Sequence, residues 1–271
     1  KSLKQLMISF MITHLADGLN TAVPQEWKSY LLSMGTNSLV FINQFMHHSQ
    51  DHVYFDRWAV IIQDELNLNK YLTEWKTDDF IHCDTFPLFD HYFIQSIAQH
   101  LTELVQDFDS YRQIITARRK LHWFNRYKYE YETLLWAVTL LETYNRCKNK
   151  LKQKQANELF EDYVSEFYLL DQAYRKFYVA YDQISYQELF FPLKELIENT
   201  YVNGFLEELS IYWSNAVHEK LSNHWPLPGI AQQKEFFREF VQPFVNRDER
   251  VFVIISDALR FEIAQELCDR L

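Results

Sequence analysis

Residues 158–178, ELFEDYVSEFYLLDQAYRKFY, decide the fold class of this chain. Apolar residues recur there at steps of four, four, three, four and three, and charged residues lie between them. The apolar positions are Leu159, Tyr163, Phe167, Leu170, Tyr174 and Phe177. This spacing is typical of one face of an α-helix. The stretch therefore predicts an amphipathic helix with a buried apolar face and a solvated charged face.

The rest of the chain extends this helical pattern. Of its 271 residues, 48% are hydrophobic and only four are glycine, which disfavours a sandwich or barrel with many tight turns. The glycines lie far apart, so the sequence contains neither the G-x-G-x-x-G motif of a dinucleotide-binding loop nor the motif of a P-loop. Helical spacing, repeated for example from Tyr127 to Leu141, predicts eight to ten helices up to about Arg247.

The pattern changes near the end of the chain. Residues 222–230, SNHWPLPGI, hold two prolines and a glycine within four residues, which stops a helix and predicts a linker. After one more helix, at about 232–246, five consecutive β-prone apolar residues follow at 251–255 and lead into helical spacing from Phe261. Such a run is typical of a strand that helices bury on both faces.

We therefore predict a mainly α protein, a multi-helix domain followed by the first strand–helix unit of a truncated α/β domain. The predicted segments are a helical domain (1–221), a linker (222–230), a connecting helix (231–248) and the first β-α unit (249–271). We expect the remainder of the α/β domain to lie beyond Leu271. Since no second strand follows in this sequence, residues 251–256 are expected to be disordered or to pair with a neighbouring chain.

Charge is unevenly distributed along the chain. The net charge is −10, yet eleven of the 27 basic residues fall in two windows without acids, Arg112–Lys128 and Arg146–Lys154. The first window combines cations for phosphate contacts with rings for base stacking. The candidate nucleic-acid contacts are Arg118, Arg119, Lys120, Trp123, Arg126 and Lys128. The alternative is that the rings belong to the core and the bases are solvated or paired with acids.

Other polar patterns are weaker indications. His48 and His52 are four residues apart and would face one metal ion from a single helix, but no third ligand follows at a defined spacing, so we interpret them as a surface pair. Asp171 and Arg175 are spaced for an ion pair on an exposed helix. Arg146–Lys154 is interpreted as the basic C-terminus of a helix.

Cysteine usage and hydropathy bear on the compartment. The three cysteines form no C-x-x-C pair and leave an odd thiol, which favours a reducing cytoplasm. The apolar start, Leu6–Leu15, is interrupted by polar residues and is followed by no cleavage pattern, so it predicts neither a signal peptide nor a membrane span.

Asp257 is the strongest candidate for chemistry. It follows the predicted strand, and ligands of open α/β sheets bind beyond the carboxyl ends of strands. A carboxylate at this place can hold a divalent metal ion. The alternative is that Asp257 caps the helix that follows it.

The chain resembles the PglZ family of BREX bacteriophage-defence proteins, a branch of the alkaline phosphatase superfamily. Residues 251–271, VFVIISDALRFEIAQELCDRL, resemble the opening of the PglZ domain, most specifically at ISDALR. The helical region that precedes this domain in type A proteins is matched by residues 166–178, residues 186–213, Arg118-Arg119 and His122-Trp123. The resemblance covers nearly the whole chain.

The resemblance implies a metal-dependent phosphatase or phosphodiesterase, with a nuclease as one form, whose helical part is a scaffold. It implies zinc- or manganese-class ions, with Asp257 as one ligand, while the Ser or Thr nucleophile and the other ligands lie beyond Leu271. Arg260 would neutralise phosphate or orient Asp257, or would instead pair with Glu262 or Glu266.

The resemblance also bears on residue 258 and on the partners of the protein. Many superfamily members carry glycine after this aspartate, whereas this chain has Ala258. The implied partners are other BREX proteins, with DNA as a further candidate and no membrane. This chain alone is expected to be inactive, and the alternative function is a non-catalytic helical module that binds a defence-complex protein or DNA.

Overall fold

A computed structural model describes residues 2–221, 227 and 229–271 of the chain, with the side chains of 219–221 left out. The described residues are mainly helical, which confirms the predicted class. They form two compact units, one of residues 1–138 and 177–193 and the other of residues 139–176 and 194–271. Most of the predicted linker, 222–230, lies outside the described residues.

The first unit is built from helices that pack their apolar faces together. Met11, Ile12 and Leu15 of the first helix are fully buried, and this helix packs against the second and third. The helices of this unit are α1 (Leu3–Gly18), α2 (Gly35–Met46), α3 (His52–Glu65), α4 (Asn69–Leu72), α5 (Thr77–Phe80), α6 (Leu88–Thr102), α7 (Phe108–Arg118) and the first part of α8 (Lys128–Cys147). Short 3₁₀ turns occupy Gln25–Tyr30, His122–Asn125 and Glu188–Phe190.

The second unit contains the stretch with the clearest helical periodicity. Leu159, Phe167 and Leu170 are buried there, so the predicted face is confirmed. The helices are α9 (Ala156–Asp162), α10 (Tyr168–Tyr181), α11 (Phe191–Tyr201), α12 (Glu208–Leu221), α13 (Gln242–Val245) and α14 (Phe261–Arg270); the last residues of α10 and the first of α11 belong to the first unit. π-Helical turns at Tyr163–Phe167 and Val202–Glu207 join α9 to α10 and α11 to α12.

The described residues thus form fourteen α-helical segments, more than the eight to ten predicted. The excess arises because π turns and short helices divide what the periodicity counts as single elements. The predicted helix at 232–246 shows this most clearly, since it is a 3₁₀ turn, a π turn at Phe237–Val241 and the short α13. Pro243 lies within this stretch, and a proline has no amide hydrogen with which to continue a helical ladder.

The predicted strand is not formed, and the described residues contain no strand at all. Residues 251–256 have no regular structure, and the side chains of Phe252, Ile254 and Ile255 are about nine-tenths exposed, at 87%, 91% and 92%. A strand needs a second strand to accept and donate its backbone hydrogen bonds, and this chain supplies none among its described residues. The helix predicted after this stretch is present as α14.

Two further observations concern the cysteines and the apolar character of the helices. Cys83 and Cys147 are buried, and burial raises the pKa of the Cys83 thiol to about 12, whereas Cys268 is exposed. Among the described helices, none combines the length and the apolar character needed to cross a membrane.

Candidate functional site

Asp257 lies in an exposed turn between residue 256 and α14. The next residue, Ala258, has φ of +54°, in the left-handed region that favours glycine. An alanine in this conformation costs about 1 kcal/mol relative to the right-handed region. Ala258 therefore has a backbone conformation typical of glycine, although its side chain is a methyl group.

The structure does not support the alternative that Asp257 caps α14. The N-cap residue of this helix is Arg260, in extended conformation, and no side chain accepts a hydrogen bond from the first turn. Asp257 is three residues before the N-cap and is exposed. Its carboxylate is therefore accessible to a ligand from solution.

An ion-pair cluster holds α14 against α10. The Arg175 guanidinium donates to both oxygens of Glu262, with its closest contacts at 2.8 and 2.9 Å, and to Glu266 at 2.8 Å. Lys176 lies 2.9 Å from the other oxygen of Glu266. Glu262 is fully buried, although it is an acid on a terminal helix. Arg175 therefore does not form the predicted pair with Asp171, and both carboxylates considered for Arg260 are bound to Arg175 instead.

The charges in this cluster shift the ionisation of Glu266. Hydrogen bonds from Lys176 and Arg175 lower the pKa of the Glu266 carboxyl to about 2, although desolvation opposes them. The ionised form is the one these cations stabilise. The contact between α10 and α14 is thus strongest where Glu266 is charged.

Asp171 lies in a second polar cluster of the same unit. Its carboxylate accepts hydrogen bonds from the Tyr163 hydroxyl at 2.6 Å and the Tyr201 hydroxyl at 2.9 Å. Burial raises the pKa of the Asp171 carboxyl, while these two hydroxyls and the charge of Arg260 oppose that shift. Tyr163 begins one π turn and Tyr201 precedes the other, so the two turns bring both hydroxyls to one carboxylate.

The segment with Asp257 is tied to this cluster through the start of α14. The Phe261 ring lies 6.0 Å from the Tyr163 ring and 5.4 Å from the Tyr168 ring, between centroids. Sequence reasoning missed these contacts and the Arg175 cluster, because they join residues about ninety positions apart and no local spacing indicates them.

The described residues do not by themselves fit a metal ion. A divalent ion is held by several carboxylate or imidazole ligands, and no group of three His, Cys, Asp or Glu side chains in the described ranges could hold one. Asp257 supplies a single carboxylate. His48 and His52 do not converge on a metal ion either: His48 pairs with Asp51 at 3.0 Å, and the His52 ring bonds the His48 carbonyl.

The first basic window is divided between core and surface. Arg118 is fully buried, and its guanidinium contacts Asp90 at 2.5 and 3.0 Å and the Cys83 carbonyl at 2.6 Å. The Tyr131 hydroxyl donates to Asp90 at 2.6 Å. Burial alone would lower the pKa of Arg118, but Asp90 outweighs burial and raises it.

Trp123 is also buried, and its indole N–H donates to the Asp84 carbonyl at 2.7 Å. The prediction that Arg118 and Trp123 contact nucleic acid is therefore wrong, because neither side chain reaches the surface. A usable signal was present for Arg118. It continues the spacing of Tyr111, Ile114 and Ile115, all buried on α7, and so lies on the apolar stripe of that helix.

The other four candidate contacts are exposed, namely Arg119, Lys120, Arg126 and Lys128. In the second window, Arg146 lies in the last turn of α8, as its interpretation as a basic helix C-terminus requires. Arg146 and Lys150 both bind the Glu166 carboxylate, and these bonds lower the pKa of Glu166. Arg146 and Lys150 of the second window are therefore engaged within their own unit.

Known proteins resemble this chain at two levels: a family model matches its end, and relatives match most or all of it. Residues 236–271 match the model of the BREX system PglZ alkaline phosphatase-like domain. The whole chain is 41% identical to the "Alkaline phosphatase-like protein PglZ" of Bacillus cereus (strain H3081.97), over 271 residues that make up 32% of that protein. Over 199 residues, 70% of the chain is 32% identical to 23% of the "Alkaline phosphatase-like protein BrxZ" of Escherichia coli O9:H4 (strain HS). No solved structure matches the chain.

The fold and these matches define a mainly helical chain whose last residues match the model of an alkaline phosphatase-like domain. Along its whole length the chain is similar to part of a PglZ protein, and its last residues match the PglZ domain. It spans about a third of the length of the Bacillus relative.

Proposed function

We propose that this chain is the helical scaffold and the first segment of a PglZ-type metal-dependent phosphatase or phosphodiesterase, with a nuclease as one form. Asp257 would be one ligand of a zinc- or manganese-class ion, and the remaining ligands and the Ser or Thr nucleophile would come from outside these residues. Arg260 would neutralise substrate phosphate or orient Asp257. The proposed setting is a cytoplasmic BREX defence complex with other BREX proteins as partners.

One observation supports this proposal above the others. Asp257 falls inside the residues that match the alkaline phosphatase-like domain, and it is exposed and has no hydrogen bond or ion pair to another described residue. Acids with a structural role in the same segment look different, since Glu262 is buried and held by Arg175. An exposed acid next to a left-handed residue is a typical place for a ligand-binding side chain.

The test uses the full-length PglZ protein that contains this chain, with bis(p-nitrophenyl) phosphate as substrate and added Mn²⁺ or Zn²⁺. We expect Asp257→Asn to reduce hydrolysis at least about a hundredfold, because a lost metal ligand removes most of the charge stabilisation. Asp269→Asn is the matched control, an exposed acid on α14. Equal activity of the two variants would contradict the role of Asp257.

A second candidate function is a non-catalytic interaction module that binds DNA or a defence-complex protein. The observation that favours DNA is the set of four exposed cations, Arg119, Lys120, Arg126 and Lys128. Phosphate contacts weaken steeply with salt. We expect binding of a labelled DNA duplex to fall between about 50 and 200 mM salt and to be lost in the Arg119→Gln, Lys120→Gln double variant; unchanged binding would remove this surface from consideration.

A further inference from the structure

A polar cavity of about 540 Å³ lies in the first unit. Two segments far apart in sequence line it, one running from the end of α2 into α3 and the other joining α7 to α8. Its charged and imidazole side chains are His47, His52, Asp56, Arg119, Lys120, His122 and Arg126. None of the histidines was part of the predicted basic surface, so the fold joins two sets of residues that the sequence keeps apart.

His122 is held in a fixed orientation at this cavity. Its Nε2 atom lies 2.8 Å from Asp56 Oδ1. Its ring meets Phe55 and Trp123 edge to face, at centroid distances of 5.3 and 4.7 Å. Contacts on several sides leave the imidazole little rotational freedom, so it would lose little conformational entropy when a ligand binds.

Two arginines at the same cavity are also restrained. The Arg126 guanidinium lies over the Trp123 ring at 5.9 Å and over the Tyr127 ring at 5.6 Å. Arg119 lines the cavity and donates to Glu132 at 2.8 Å. Cations that are already oriented lose little conformational entropy when they bind an anion.

The charge balance of the lining is positive, although the protein as a whole carries −10. Arg119, Lys120 and Arg126 are three permanent cations, and Asp56 is the single carboxylate among the lining residues of the cavity. Asp56 is engaged with His122. A concave surface with this excess raises the local concentration of anions.

We propose that this cavity binds the phosphate group of a nucleotide, either free or at a nucleic-acid strand. Arginine presents a planar fork of donors that matches phosphate oxygens, and lysine adds a point charge. The volume exceeds what one bare phosphate fills, so part of the attached nucleoside has room. This proposal deepens the second candidate function by naming the phosphate-binding residues, and it does not depend on the hydrolase proposal.

The experiment compares charge reversal inside and outside the cavity. Lys120→Glu and Arg126→Glu change exposed cations of the lining, while Lys128→Glu makes the same change two residues away, at an exposed cation outside the lining. One arm titrates AMP by calorimetry, and the other follows a fluorescent DNA duplex by anisotropy, both at low salt. Circular dichroism checks that each variant keeps its helices.

We expect each cavity variant to weaken binding at least about tenfold and Lys128→Glu to weaken it less than about threefold, since a directed phosphate contact is stronger than general attraction. Binding of AMP would identify a free nucleotide as the ligand, and binding of DNA without competition by AMP would identify a strand. Equal weakening of binding by all three variants would contradict the cavity as the phosphate-binding site and would leave diffuse binding of DNA as the explanation. If neither AMP nor the DNA duplex bound, the proposed phosphate site and the DNA-binding function would both be wrong.

Discussion

Arg118, Asp90 and Tyr131 form a buried polar network in which each polar group is satisfied by the others or by backbone carbonyls. Removing one partner from a buried ion pair leaves the other charge unpaired in a low-dielectric interior. We therefore expect Arg118→Met to lower the free energy of unfolding by about 3–5 kcal/mol. Urea denaturation followed by circular dichroism measures this value.

The neighbouring arginine provides the control for that prediction. Arg119 pairs with Glu132 at the surface, where ion pairs contribute at most about 1 kcal/mol. Arg119→Met should therefore change stability by less than about 1 kcal/mol. Similar losses for the two variants would show that Arg118 is not the buried partner of Asp90.

At the scale of elements, the contact between α10 and α14 depends on Arg175, which bonds two acids of α14. We expect Arg175→Ala to expose the Glu262 carboxylate and to release α14, because a buried acid without its cation is costly. Hydrogen exchange of the amides at 261–270 should accelerate. Arg270→Ala is the matched control, since Arg270 bonds Glu266 from a position that is 73% exposed. Equal exchange in both variants would contradict this account.

The same contact should depend on pH. The pKa of Glu266 is lowered from 4.5 to about 2 in the folded protein, so this acid contributes stability that is fully present above pH 4.5. That contribution is lost as the pH falls toward 2, because protonation removes the charge that Lys176 and Arg175 bind. In Glu266→Gln, exchange of α14 should be faster at pH 6 and should vary less between pH 5 and 2.5. An identical pH dependence in both proteins would contradict the role of Glu266.

The elements also show how far sequence reasoning reaches in this chain. The spacing of Leu159, Phe167 and Leu170 predicts their buried face because helical periodicity is a local property. A local pattern also predicts the strand at 251–255, but this strand is not formed, because its formation depends on a partner strand and not only on its own residues. Asp257 could be singled out locally, whereas the contacts of Arg175 depend on how distant helices pack.

At the scale of the whole molecule, the C-terminal residues expose much apolar surface. Phe237 and Phe240 are 60% and 54% exposed, and Ile254 and Ile255 are more than nine-tenths exposed. Exposed apolar side chains of this kind promote association. We expect the 271-residue chain to self-associate with rising concentration, and Ile254→Lys with Ile255→Lys to shift it toward the monomer in sedimentation velocity. Ile211→Lys, at an exposed site on α12, is the control and should leave the association unchanged.

Asp257 is exposed, so its replacement should leave the stability of the chain unchanged, whereas its proposed role as a metal ligand predicts a large loss of activity. Measurements of stability and activity therefore separate a structural role of Asp257 from a functional one. An exposed side chain away from caps and ion pairs changes stability by no more than about 0.5 kcal/mol when it is replaced. Asp257→Asn in this chain should therefore unfold at the same urea concentration as the unmodified chain, while the same substitution should reduce hydrolysis in the full-length protein at least about a hundredfold. Glu262→Gln provides the contrast, since Glu262 is buried against Arg175 and its neutralisation should destabilise the chain. If Asp257→Asn lowered the unfolding midpoint as much as Glu262→Gln does, lost activity would reflect misfolding, and Asp257 would be a structural residue.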